Sequence, residues 1–221
     1  MKEPNRQRKN NIGEINKLQL NEEQKEAKRL IIENQVVIVT GMAGSGKSMI
    51  CAQTGLDFLL QKQTDKILVC RAAIEVGKTL GYLPGELSDK FNPYIEGFVE
   101  NLNKIYDKVK VAELVTKGVI TGVPIQFIRG KTVDNYLVCE EAQNLTKHEM
   151  LALLTRLGKT GKIVINGDNA QQDIKPSSGE LNGLQYVLEM AKSIPEIKVI
   201  KLKENHRSDL VGKILTYEYG K

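Results

Sequence analysis

The fold is decided by Val36-Val37-Ile38-Val39-Thr40-Gly41-Met42-Ala43-Gly44-Ser45-Gly46-Lys47-Ser48. Four apolar residues run straight into a glycine-rich turn, and an amphipathic segment follows. A run that is apolar on both faces is how a strand of a parallel sheet reads when helices cover both sides of it. The turn matches G-x-x-x-x-G-K-[ST] in full. Its glycines let successive backbone N–H groups point inward at phosphate oxygens, and the helix opening at Lys47 or Ser48 adds the positive end of its dipole. The Lys47 ammonium has the reach for β- and γ-phosphates, and the Ser48 hydroxyl is a ligand for Mg²⁺. Gly41, Met42, Ala43, Gly44, Ser45, Gly46, Lys47, Ser48 and Met49 are therefore the expected nucleotide-binding loop.

Working outward, similar apolar runs recur at Ile67–Cys70, Ile125–Ile128, Tyr136–Cys139, Ile163–Ile165 and Val199–Ile200. Helical patterns lie between them. Asn21 with Gln24 reads as a helix start, Thr146 with Glu149 as a capping box ahead of Met150, Leu153, Leu154 and Leu157 with Gly158 closing, and Ser177 with Glu180 as a second box ahead of Leu181, Leu184 and Leu188. Strand–helix alternation predicts a three-layer α/β domain with a mostly parallel sheet. Between Pro84 and Pro124 no strand is evident, and a helical insertion is expected over about 84–124. Residues 1–17 hold five basic and two acidic residues and read as a flexible basic arm. Residues 18–221 are the expected folded domain.

Composition narrows the classes. The chain has 221 residues, 41% hydrophobic and 27% charged, which is an ordinary globular mixture. No run approaches the roughly 18 apolar residues of a membrane span, and the charged amino terminus has no apolar core behind it, so a soluble intracellular protein is expected. Three cysteines without a C-x-x-C spacing and two histidines give neither a disulfide framework nor a zinc site. The net charge of +5 permits nucleic-acid contact without demanding it.

Hydrolysis of a nucleotide needs an acid to hold Mg²⁺ and a base to orient water. Tyr136-Leu137-Val138-Cys139-Glu140-Glu141-Ala142-Gln143 supplies both at the end of an apolar strand, Glu140 for the metal and Glu141 as the base. A third strand ends in Asn166-Gly167-Asp168-Asn169-Ala170-Gln171, where Asp168 and Gln171 are placed to report on a γ-phosphate or, as ordinary turn chemistry, to do no more than close a loop.

Gly41–Ser48, Arg71-Ala72-Ala73-Ile74-Glu75 with Leu80-Gly81-Tyr82-Leu83-Pro84-Gly85, Ile128-Arg129-Gly130-Lys131-Thr132, Glu140-Glu141-Ala142-Gln143-Asn144, Leu154-Thr155-Arg156-Leu157-Gly158 and Gly167-Asp168 with Gln171 together resemble the PhoH-like ATPases, in order from about residue 20 to 217. The resemblance implies a RecA-like P-loop NTPase core close to superfamily-1 helicases, ATP hydrolysis with Mg²⁺, a cytoplasmic setting in bacteria or phages, and action on RNA or single-stranded DNA. It implies further that Gln24 reads adenine, a role that competes with its capping role, and that Arg207, in Leu202-Lys203-Glu204-Asn205-His206-Arg207-Ser208, is an arginine finger. Arg129 and Arg71 are further candidates for nucleotide or nucleic-acid contact, or for structural ion pairs. Glu140 departs from the family's usual Asp, and one extra methylene shifts the carboxylate by roughly 1–1.5 Å, so a slow enzyme is compatible with this reading. One RecA-like core does not close over its own nucleotide. A homo-oligomer is therefore expected, with a hexameric ring as the candidate assembly and Arg207 or Arg129 completing a neighbour's site. The rival readings are a P-loop kinase of a small acceptor and a nucleotide-dependent binding module with little hydrolysis. Seven arginines leave little for a kinase lid.

Overall fold

A computed structural model describes residues 18–72, 87–172 and 179–206, together with 210, 211, 213, 214 and 217. The expected basic arm, the segment containing Leu80–Gly85, Ser177 and Arg207 lie outside the described residues. Six strands form one parallel sheet: β1 (Val36–Gly41), β2 (Ile67–Arg71), β3 (Ile120–Pro124), β4 (Tyr136–Glu140), β5 (Lys162–Gly167) and β6 (Ile197–Leu202), in the order β3-β2-β4-β5-β1-β6. The helices are α1 (Glu22–Glu33), α2 (Lys47–Leu60), α3 (Leu87–Ile105), α4 (Lys108–Thr116), α5 (Ile125–Ile128), α6 (Lys147–Leu154) and α7 (Gly183–Ser193).

Alternation along each strand sends side chains to two separate cores, because successive Cβ atoms point to opposite faces. Val37, Val39, Ile67, Val69, Val138 and Val164 pack with α1, α2, α3 and α4 on one face. Val36, Ile38, Cys70, Leu137, Cys139, Ile163 and Ile165 pack with α5, α6 and α7 on the other. The result is the expected three-layer α/β/α arrangement. All three cysteines are buried and unbridged, as small core hydrophobes.

Sequence expectation and structure part in three places. Ile125–Ile128 is a single helical turn, and the strand lies just before it at Ile120–Pro124, inside the stretch expected to be only helical. β3 is an edge strand whose burial alternates, with Thr121 and Val123 partly exposed, so it offers no unbroken apolar run. Pro124 is tolerated there because an edge strand leaves N–H positions unpaired. The insertion's helical part is α3 and α4. Secondly, α7 starts at Gly183, not after Ser177. Its capping box is Asn182 with Gln185, and Leu181 is exposed. Thirdly, α6 ends at Leu154 with Thr155 as its cap, short of Leu157 and Gly158. The Asn21–Gln24 and Thr146–Glu149 boxes form as expected.

The order of strands positions the chemistry. β5 lies between β1, which leads into the glycine-rich loop, and β4, which carries the acidic pair. Neighbouring strands are about 4.8 Å apart, so the two elements are separated by two such spacings and meet only over the carboxyl end of β5. Ligands of open parallel sheets bind at that end.

Candidate functional site

Gly41 and Gly46 bend the loop between β1 and α2, with φ of +147° and +87°. A Cβ on Gly41 would lie 2.4 Å from the Leu202 carbonyl oxygen of β6, and one on Gly46 would lie 2.7 Å from the Gln24 amide nitrogen. Gly41 therefore needs glycine for conformation and for space, and Gly46 for conformation. The loop leads into α2 at Lys47, so the free N–H groups of the first helical turn face the same concavity as the loop amides. Lys47 Nζ donates to the carbonyls of Gly41 at 2.7 Å and Met42 at 3.0 Å. Burial pushes its pKa down, while Asp168, Glu141 and Glu140 pull it back up.

Across the cleft, the Ser48 hydroxyl donates to Glu140 Oε2 at 2.8 Å. Asn166, at the end of β5 and 2% exposed, donates its amide to Ser48 Oγ at 2.9 Å and to the same Glu140 oxygen at 2.8 Å. Glu140 Oε1 is buried with no hydrogen-bond partner among the described residues. Burial raises the Glu140 pKa to about 7, against the hydrogen bonds from Ser48 and Asn166.

Glu141 sits in the left-handed region, φ 53° and ψ 45°, which is uncommon for a residue with a Cβ and turns its carboxylate out of the strand direction. Gln143 is 1% exposed and holds three groups together. Its amide donates to Glu141 Oε2 at 2.6 Å and to the Gln171 carbonyl at 3.0 Å, and its oxygen accepts from the Asp168 N–H at 3.0 Å. The acidic pair and the loop after β5 are thus one network.

At the other end of the cleft, Gln24 forms the expected capping box and also lines the cleft. Its Oε1 accepts from the Asn21 N–H at 3.2 Å in the capping box, and its Nε2 lies 3.0 Å from His206 Nε2 and 3.5 Å from the Ser45 carbonyl. The His206 N–H donates to the Gly44 carbonyl at 3.0 Å, tying the segment after β6 to the loop.

A cleft of about 510 Å³ is lined by Gln24, Ala43, Gly44, Gly46, Lys47, Ser48, Met49, Glu141, Asn166, Gln171 and His206, whereas Gly41, Met42, Ser45, Glu140, Gln143 and Asp168 lie outside that lining. Arg71 ends β2, and Arg129 caps α5 in an exposed position; neither lines the cleft. Asn166, Gln143 and His206 were not singled out from the sequence. All three lie within sequence motifs, and the signal that marks Asn166 and Gln143 is a polar residue at or just past the end of an otherwise apolar strand.

A glycine-rich loop leading into a helix from one parallel strand, opposed by a carboxylate on a strand two places away, defines a P-loop NTPase domain of RecA-like architecture. The large terminase from a thermophilic bacteriophage superposes on 90% of the chain, with a TM-score of 0.56 at 8% identity, and the match takes in 50% of the terminase. The UvsW helicase from bacteriophage T4 does so on 86% of the chain, with a TM-score of 0.51 at 13% identity over 64% of its length. The family model for PhoH-like proteins matches residues 18–218, and the chain belongs to that family. A PhoH-like protein of Bacillus subtilis (strain 168) is 35% identical over 185 residues, 82% of this chain and 57% of the relative. A PhoH-like protein of Mycobacterium bovis is 34% identical over 192 residues, 84% of this chain and 54% of the relative. The chain spans about half the length of the curated relatives it matches. No helix among the described residues is long and apolar enough to cross a membrane.

Proposed function

We propose that this domain binds ATP with Mg²⁺ and hydrolyses it to ADP and phosphate. The observation that carries the reading is the Ser48–Asn166–Glu140 cluster. A serine hydroxyl from the loop helix and a buried carboxylate from another strand are held together at hydrogen-bond distance, with one carboxylate oxygen left unpaired among the described residues. Mg²⁺ takes oxygen ligands, uses one or two protein groups and keeps the rest for phosphate and water. The donor set fits: Ser48 and Glu140 would hold the ion, directly or through water, and the bound ion would supply charge neutralisation at the β- and γ-phosphates.

The protein's own residues do the remaining work. The loop amides from Gly41 to Ser48 and the Lys47 ammonium bind the phosphate chain, and the start of α2 adds its dipole. Glu141 accepts the proton of the attacking water as the new P–O bond forms and the β–γ bridging bond breaks. Gln143 fixes the direction of that carboxylate. Asp168 and Gln171 are joined to the same amide, and through it they would sense a change at the γ-phosphate. Gln24 and Met49 serve the nucleotide's far end.

The finer parts of the proposal are a cytoplasmic setting, a homo-oligomer such as a hexameric ring with Arg207 or Arg129 completing a neighbour's site, and coupling of hydrolysis to RNA or single-stranded DNA. The support is the resemblance to the PhoH-like ATPases, the +5 charge and the helicase-like segment containing His206. Phosphate release by the wild-type chain and by Glu141→Gln, with and without single-stranded RNA at low salt, tests the core reading and the coupling together. Release in the wild type that falls by about 10²-fold or more in the variant is the expected result; equal release from both would remove Glu141 from its role.

A further inference from the structure

The cleft has a wall that neither the loop motif nor the acidic pair accounts for. Asn101 and Lys104, one helical turn apart on α3, line it together with Leu18, Leu20 and Met49. Residues three apart on a helix share a face. α3 packs against α2 and β3, on the side of the sheet away from β6, and its anchors Phe98, Leu102 and Ile105 are buried in the core. That packing turns the Asn101–Lys104 face toward the start of α2. Neither side chain makes a hydrogen bond or ion pair among the described residues, unlike Lys117 on α4, which pairs with Glu113. A cation and an amide are thus presented to the cleft with their hydrogen-bonding capacity unspent.

Resting on the ATP-binding reading, we propose that Asn101 and Lys104 bind the nucleoside half of the nucleotide, its base edge and ribose hydroxyls, and so make α3 part of the nucleotide site. The phosphate end of the cleft is fully assigned to the loop amides, Lys47, Ser48, Glu140 and Asn166, all borne by β1, α2, β4 and β5. Beside Asn101 and Lys104, the cleft is lined by the apolar side chains of Leu18, Leu20 and Met49. This composition suits the flat face of a base and not a phosphate. An amide within that wall offers both a donor and an acceptor, the pattern a base edge presents. Lys104 supplies a donor at the solvent side, where ribose oxygens and base acceptors lie.

The test compares ligands that share the phosphate chain and differ in the nucleoside. Binding of ADP, ATP and inorganic tripolyphosphate, each with Mg²⁺, is measured by calorimetry on the full chain and on Asn101→Ala, Lys104→Ala and Lys104→Arg. Lys117→Ala is the control and circular dichroism the check of fold. Each alanine variant is expected to weaken ADP and ATP by about 3- to 10-fold, the worth of one hydrogen bond. Tripolyphosphate should stay within twofold, and Lys104→Arg should keep most of the affinity. Equal losses for tripolyphosphate would overturn the proposal by making the pair a phosphate site, and unchanged ADP and ATP binding would overturn it outright. A wild-type chain that binds none of the three ligands removes the ATP-binding reading as well, whereas tight wild-type binding of ADP and ATP with silent variants removes this inference alone.

Discussion

Gln143 donates its side-chain amide to Glu141 Oε2 at 2.6 Å, and the oxygen of the same amide accepts the Asp168 N–H at 3.0 Å. One buried residue therefore orients the proposed base and the loop that follows β5. Glu141 has a backbone conformation that does not by itself fix its carboxylate, so the amide acts as the positioning group. In Gln143→Leu the Asp168 N–H loses its partner and Glu141 is free to swing. Phosphate release is expected to fall by about 10- to 100-fold while ADP affinity changes less than about threefold, since no phosphate contact is lost. Parallel rate and affinity measurements check this. A loss that appears only in affinity would contradict the positioning role.

Glu140 gives a pH dependence with a definite sign. Its folded pKa is raised from 4.5 to about 7 by burial, so between those values the unfolded chain releases a proton that the folded chain keeps. The Glu140 contribution to the stability of the metal-free protein therefore falls as pH rises from about 4.5 through about 7, by an amount on the order of 3 kcal/mol, and is level above and below that window. Glu140→Gln removes this slope. In thermal melts with a chelator present, the variant should melt higher than wild type at pH 8 and near it at pH 4.5. The same substitution removes the proposed metal ligand, so Mg²⁺-dependent phosphate release should drop sharply. Higher stability with lower activity in one variant separates a site residue from a core residue.

The loop and the acidic pair are legible in the sequence because their chemistry is local. Gly41 to Ser48 and Glu140–Glu141 carry their proposed roles in residue type and spacing, each at the end of an apolar strand. β3 is not legible in that way. An edge strand buries one face, so Thr121 and Val123 break the run and draw the eye to Ile125–Ile128, which the chain uses as a turn of helix after Pro124. Asn166 and Gln143 depend on β5 lying between β1 and β4, a fact of topology that a one-dimensional reading does not contain. Asn182 rather than Ser177 starts α7, since two polar residues with a Glu or Gln three places on occur within six residues of each other and sequence alone does not rank them.

Asn166 makes the reach across β5 testable. It donates to both Ser48 and Glu140, so Asn166→Ala leaves the Glu140 carboxylate with one fewer hydrogen bond in a buried place. Removing that donor raises the cost of the charged carboxylate. The Mg²⁺ concentration giving half-maximal phosphate release should rise by about 3- to 30-fold, with a smaller change in rate at saturating Mg²⁺. A titration of rate against Mg²⁺ distinguishes this from loss of the base, which lowers the rate at every concentration.

Lys162 holds the far end of the helix that brings Gln24 to the cleft. α1 has no basic residue in its last turn, and the cation comes from the start of β5. Lys162 Nζ donates to the carbonyls of Ile31 at 3.1 Å, Ile32 at 2.8 Å and Asn34 at 2.9 Å, while lying 5.6 Å from the centre of the Phe58 ring. A charge at this position offsets the negative end of the helix dipole and satisfies carbonyls that the helix cannot. Burial lowers its pKa, but three acceptors justify keeping the charged form. Lys162→Met preserves the apolar stem against Phe58 and removes only the donors. A loss of about 1–3 kcal/mol in denaturant unfolding is expected. Because the Asn21–Gln24 box anchors the opposite end of α1 independently, ATP affinity at a temperature well below the transition should change less than about twofold. A large affinity loss in the folded variant would mean that the helix moves as a rigid lever, and that Gln24 is placed by Lys162 rather than by its own cap.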